Sequence, residues 1–250
     1  MNMKNKKTPL RRFVLLIVIM TIGMGGAVAQ SSLFAYHKEM VPNFKKIKKY
    51  TTNPNNQYYY PKLLQRFVDG DTTLTFEECH YLYYGNMFTP DYFGYRHSFL
   101  LDTADQVFKQ ITDSMPAEEV TKVLEQALAL SIQGIQDDPI DPKCYLYAVT
   151  LLDKLGRFDE AAVYNSHLRS IVFTILKSGD GHSTKKAWYA NTVSDEYVLL
   201  NLIGFDVAGQ ALIYDKKEAY DKMMVIDEDG YQSELYFNVS RIMKSFSSKF

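Results

Sequence analysis

Three short runs decide the fold: QALIY at residues 210–214, YDKMMVID at 220–227 and ELYFNV at 234–239. Each is dense in aromatic, β-branched or other apolar residues, and Asp229-Gly230 between the last two is a hairpin turn signal. They read as strands. AWYANTV at 187–193 reads as a further strand. Ser194 then opens a short helix running through Glu196, Tyr197, Val198, Leu199, Leu200 and Leu202 to Gly204. Residues 179–250 thus spell a small, mainly antiparallel sheet with a crossing helix.

Upstream the period changes. Residues 57–178 carry apolar side chains at helical rather than alternating spacing. Leu63, Leu64, Phe67 and Val68 share one helical face, and Asp69-Gly70-Asp71 ends that segment. Thr75 with Glu78 is a capping box for the next helix, through Cys79, Leu82 and Tyr83. Residues 86–98 show no period and form an aromatic-rich loop. Helices follow over 99–111, from Pro116 along Val120, Leu124, Ala127 and Leu128, over 145–155 and over 158–177. The fold class that results is α+β, helices first and sheet last. Residues 30–56 read as a basic and polar lead-in, with Lys45-Lys46-Ile47-Lys48-Lys49 as a solvated short helix.

Tyr145, Gly156, Phe158 and Ala161 stand at the spacing of one tetratricopeptide repeat, and residues 120–175 resemble a degenerate hairpin of that kind. Phe173 stands where the repeat ends in proline, and Asn165 replaces a large apolar residue. One and a half repeats do not make a free-standing solenoid, so the hairpin is expected to pack on the C-terminal part.

The first 29 residues read as a secretory signal peptide. Lys4, Lys6, Lys7, Arg11 and Arg12 precede an apolar run from Phe13 to Ile22, and Ala27-Val28-Ala29 is a small-x-small cleavage site. The expected mature chain starts at Gln30, is periplasmic or secreted, and has no membrane span, since the apolar run is about half the roughly 20 residues a spanning helix needs. Cleavage takes five of the 28 basic residues and none of the 29 acidic ones, leaving a net charge of about -6. With 46% hydrophobic and 23% charged residues the 250-residue chain is neither disordered nor polytopic, and its charge balance argues against nucleic acid as a partner. Cys79 and Cys144 fall on separate expected helices; export allows a disulfide, and core filling is the competing reading.

No catalytic motif stands out. The chain lacks a Gly-x-Ser-x-Gly elbow, a phosphate-binding Walker loop, His-Glu-x-x-His and Cys-x-x-Cys, and its five histidines are scattered, so neither a metal nor a cofactor is expected. The most suggestive stretch is Gly179-Asp180-Gly181-His182, with Asp195 and Glu196 downstream. A hydrolase acid/base pair or a cation site is one reading. An Asx turn with first-turn helix charges is the other. Tyr84, Tyr92, Tyr236 and Asn238 complete the candidate pocket, the last two sharing one face of a strand opposite Phe237.

A family resemblance covers most of this. Ser178-Gly179-Asp180-Gly181, Ala187, Asp195-Glu196-Tyr197, Leu199-Leu200, Leu202 to Gly204, Tyr220-Asp221 and Tyr236-Phe237-Asn238, with Tyr83-Tyr84-Gly85 upstream, resemble a secreted family from Bacteroides-type bacteria labelled domain of unknown function 4919. The resemblance spans roughly residues 57–245. It implies export and brings no activity, substrate or catalytic residue. It also implies O-glycosylation at Asp-Ser/Thr triplets, which here point to Thr72, Thr103 and Ser114. The expectation is a binding or scaffold protein of the bacterial envelope that recognises a protein, peptide or glycan. The alternative is a hydrolase or cation site at the Gly179–His182 loop, and a third reading is a subunit of an envelope assembly.

Overall fold

The computed structural model describes residues 39–96 and 98–247. The expected signal peptide and the first part of the lead-in lie outside them.

The helical part comprises α1 (Phe44–Thr51), α2 (Tyr60–Val68), α3 (Phe76–Gly85), α4 (Phe99–Phe108), α5 (Ala117–Asp137), α6 (Pro142–Lys154) and α7 (Phe158–Leu176). Capping sets several of these starts. The Thr75–Glu78 box opens α3 as expected, Asn43 caps α1 and Asp141 caps α6. From α4 to α7 each helix packs against the next in sequence, as short connections favour. Ala127, Ala148 and Ala161 are buried in the cluster formed by α4 to α7, where small side chains let helices approach closely.

After α7 come β1 (Trp188–Tyr189), α8 (Val193–Leu202), β2 (Asp206–Asp215), β3 (Glu218–Ile226), β4 (Gln232–Asn238) and α9 (Ser240–Ser247). The sheet order is β1-β4-β3-β2. β2 pairs antiparallel with β3 and β3 with β4, whereas β1 pairs parallel to β4, with Trp188 opposite Phe237. The architecture is α+β.

Four expectations need correction. The strand over 187–193 shrinks to two residues, because Asn191 and Thr192 are drawn into hydrogen bonds with α3 and the cap of α8. That cap is Thr192, in a box with Asp195, and not Ser194. The short helix at Lys45–Lys49 has its four lysines exposed as expected, but it is not solvated all round: Ile47 and Thr51 are each 1% exposed against α3. A closing helix, α9, follows the last strand, where Ile242 is buried in the core.

One hydrophobic cluster joins both parts of the chain. It contains Leu63, Tyr83, Leu168 and Ile175 from the helices and Met223, Val225, Leu235 and Phe237 from the sheet. Buried apolar area is the main favourable contribution to folding, so the helices and the sheet stabilise one another across this cluster. Both cysteines are buried and free, as core fillers.

The connection from α7 to β1 requires glycine at 179. A Cβ there would stand 2.2 Å from the Lys186 carbonyl oxygen and 2.6 Å from that of Ala187. Gly230, in the β3–β4 turn at φ +90°, has open space around it. Gly179→Ala is therefore expected to cost about 3 kcal/mol or more, as backbone must move. Gly230→Ala should cost only about 1–2 kcal/mol of left-handed strain. Urea unfolding midpoints of the two variants check the difference, and equal losses would contradict it.

Candidate functional site

The Gly179–His182 loop is stitched into the fold. Asp180 and Gly181 donate their amides to the Lys186 carbonyl at 3.0 and 2.9 Å, and Gly181 returns its carbonyl to the Tyr236 amide at 2.8 Å. The His182 amide donates to Asp180 Oδ1 at 2.9 Å, which is an Asx turn. The indole of Trp188 donates to the Gly179 carbonyl at 3.0 Å. Asp180 and His182 are exposed, whereas Asp195 and Glu196 are 2% and 0% exposed. Asp180 lines one cavity and Asp195 another, so these four residues do not form a common acid/base centre.

The first cavity has a volume of about 440 Å³ and lies beside this loop. Leu176, Trp188 and Ile203 give it an apolar lining, and Glu39, Lys177 and Asp180 bring charge to it. The Met40 amide donates to the Lys177 carbonyl at 2.7 Å, and Glu39 forms an ion pair with Lys186, which fixes the rim. The indole is largely covered, at 6% exposure. Phe237 packs with ring centroids 5.4 Å apart, and a Cβ at Gly181 would come within 2.6 Å of the six-membered ring.

Asp195 belongs to a buried network. Tyr83 donates to Asp195 Oδ2 at 2.5 Å, and the Asn191 amide donates to the same hydroxyl at 2.8 Å. Thr192 donates through Oγ1 to Asp195 Oδ1 at 2.7 Å. Tyr84 donates to the Tyr189 carbonyl at 3.0 Å and Tyr92 to the Asn191 carbonyl at 2.7 Å. Tyr84 and Tyr92 are thus structural clamps on the β1–α8 junction. Burial, with the Asp141 carboxylate nearby, pushes Asp195 up to about 7, against the pull of its bonds to Tyr83 and Thr192. The small chamber between Asp138, Asp141, Asn191 and Asp195 is also reached by Arg96, which pairs with Asp138 at 2.7 Å. Among the described residues no three His, Cys, Asp or Glu side chains converge as metal ligands.

Glu196 and Asp221 form a second acidic pair. Both of the Glu196 carboxyl oxygens are buried without a well-aligned hydrogen-bond partner. Asp221 Oδ2 accepts from Gln210 Nε2 at 2.6 Å, and Gln210 Oε1 accepts from the Tyr197 hydroxyl at 2.7 Å. Burial raises Glu196 well above the usual carboxylate range, and the neighbouring Asp221 raises it further. Burial likewise raises Asp221. Asp221 was absent from the sequence-derived candidates. Its signal was a charge at an inward position of a strand, in step with Ala219, Met223 and Val225.

The remaining candidates are dispersed. Tyr236 donates to Glu234 at 2.9 Å on the sheet face opposite Leu235 and Phe237, and buried Asn238 accepts the Ser240 amide at 3.1 Å. Thr72, Thr103 and Ser114 are exposed, and Thr103 bonds the Phe99 carbonyl within α4.

The fold and these buried motif residues define an α+β protein in which Asp195, Glu196 and Asp221 are core rather than surface groups. The family described as Domain of unknown function (DUF4919) matches residues 45–248, and the chain belongs to it. No curated protein and no solved structure matches the chain.

The raised acids fix the sign of the pH dependence. A carboxyl in an unfolded chain titrates near 4, and these groups hold their protons to higher pH when folded. Between the two values the native state binds more protons, so stability is full below the unfolded value and falls as pH rises through the folded one. For Asp195 that window runs from 3.8 to about 7. Glu196→Gln is expected to flatten the decline and to raise stability at pH 8 by about 1–3 kcal/mol. Urea midpoints between pH 5 and 8 test it, and an unchanged slope in the variant would contradict it.

Proposed function

We propose that this is an exported binding protein of the bacterial envelope, and that the cavity beside the Gly179–His182 loop takes an apolar side chain from a protein or peptide partner. The observation that carries this reading is the cavity itself. Its volume of about 440 Å³ falls within the size range of ligand pockets, and it combines an apolar lining with a few charged groups at its margin. A peptide is favoured over a glycan because sugars stack on open aromatic faces, and Trp188 is only 6% exposed. Export rests on the leader-like residues 1–29. No helix among the described residues is long and apolar enough to cross a membrane.

Trp188 is the chain's single tryptophan and stands in the cavity wall, so its emission reports on occupancy. Titration with peptide pools of the envelope is expected to give a saturable change in emission. A ligand at 100 times its dissociation constant should add about 2.7 kcal/mol of stability. Asp180→Ala, at an exposed position, should weaken binding about tenfold without loss of fold. Unchanged emission and thermal midpoint across peptide and glycan pools would overturn the reading.

Export and modification are tested together by the intact mass of the protein recovered from its native host. The expected mass starts at Gln30 and carries added sugar at one or more of Thr72, Thr103 and Ser114. A chain that retains residues 1–29 would refute export by cleavage, and an unmodified mass would refute the glycosylation.

A further inference from the structure

The outer edge of the sheet carries a feature that the cavity does not use. β2 is the terminal strand of the β1-β4-β3-β2 order and is ten residues long, whereas the opposite edge strand, β1, has two. Edge strands of monomeric proteins are guarded by inward charges, lysine, proline, bulges or brevity. Between Asp206 and Asp215 β2 has no charged residue and no proline. Its bulge lies near one end, between Val207 and Gly209, so residues 209–215 pair with β3 without a break in register. Leu212 and Tyr214 are 44% and 69% exposed on this strand.

We propose that β2 is a homodimerisation edge, on which a second copy of this chain pairs its own β2 antiparallel about a two-fold axis at Leu212. In this register Leu212 meets its symmetry mate, Gln210 meets Tyr214 of the second copy and Ala211 meets Ile213. The bulge stays outside the paired run. The straight segment gains about six to eight backbone hydrogen bonds. The choice of a second copy rests on charge complementarity. β2 begins at Asp206, ends at Asp215 and runs into the Lys216-Lys217 turn before Glu218, so antiparallel self-pairing brings the two turn lysines of each copy beside Asp206 of the other. Diagonal neighbours across a strand pair are within reach of a lysine side chain. No like charges face each other within the paired run. The two sheets become one eight-stranded sheet, and both copies of Leu212 and Tyr214 gain cover.

The test is the oligomeric state of the protein by sedimentation and light scattering over a wide concentration range. A dimer is expected. Leu212→Lys places two ammonium groups at the axis and should raise the dissociation constant about a hundredfold or more. The variant retains its fold, because position 212 is 44% exposed within each protomer. Leu212→Cys should cross-link under mild oxidation, since antiparallel partners lie about 4.5–5.5 Å apart at Cα, within disulfide range. Tyr231→Cys, at a position that is 73% exposed and off the edge, should not. A protein that is monomeric throughout, a dimer indifferent to Leu212→Lys, or equal cross-linking of the two cysteine variants would each overturn the proposal.

Discussion

The hydrogen bond from Tyr83 to Asp195 is the constraint on which the rest of the structure hangs. It joins α3, in the helical part, to the first turn of α8, in the sheet part, across 112 positions of sequence. Around it, the hydroxyls of Tyr84 and Tyr92 hold the backbone of residues 189 and 191. A buried tyrosine brings a large apolar body and one polar tip that needs a partner. These three tips find theirs along one short stretch of chain, so the helical layer sets the path between β1 and α8. That path in turn seats Trp188 against Phe237 and shapes the cavity wall.

The same region keeps acid in its interior. Asp195 is offset by three donors, while Glu196 has none and relies on holding its proton beside Asp221. Desolvation penalises the charged form of each, so a neutral Glu196 is the lower-energy state in the folded protein. Here the outward arm of the pair, through Gln210 to Tyr197, leads to the sheet edge. The acids therefore connect the core to β2 and do not simply fill space.

The sequence made the helices and strands legible wherever one local rule decided them. The Thr75–Glu78 box, the helical stripe of α5 and the Asp229-Gly230 turn each fall where local chemistry puts them. It misled where a distant residue intervened. Ser194 is an ordinary cap by local rules, but Tyr83 draws Asp195 and the Asn191 amide together, and Thr192 becomes the cap. The Gly179–His182 loop read either as a ligand site or as an Asx turn, and the Asx turn is the one that forms. Its glycines answer to the backbone of residues 186–187 and the ring of Trp188, contacts invisible before the chain folds back. The cavity beside that loop draws on Glu39, Leu176 and Ile203, which no spacing rule links.

The parallel pairing of β1 with β4 sets an order of events. Trp188 and Tyr189 find their strand partners at Phe237 and Asn238, on a segment made almost 50 positions later, and β4 is also the inner neighbour of β3. Until residues 232–238 are present, β1 has no strand beside it and one edge of β3 stands open. Non-local pairings close late, because the loop entropy must be spent before the contact forms. A chain interrupted before that point carries a helical layer with its apolar face uncovered, the kind of surface that draws chaperones and proteases. Completion of synthesis is thus built into the topology as a condition for burying the core.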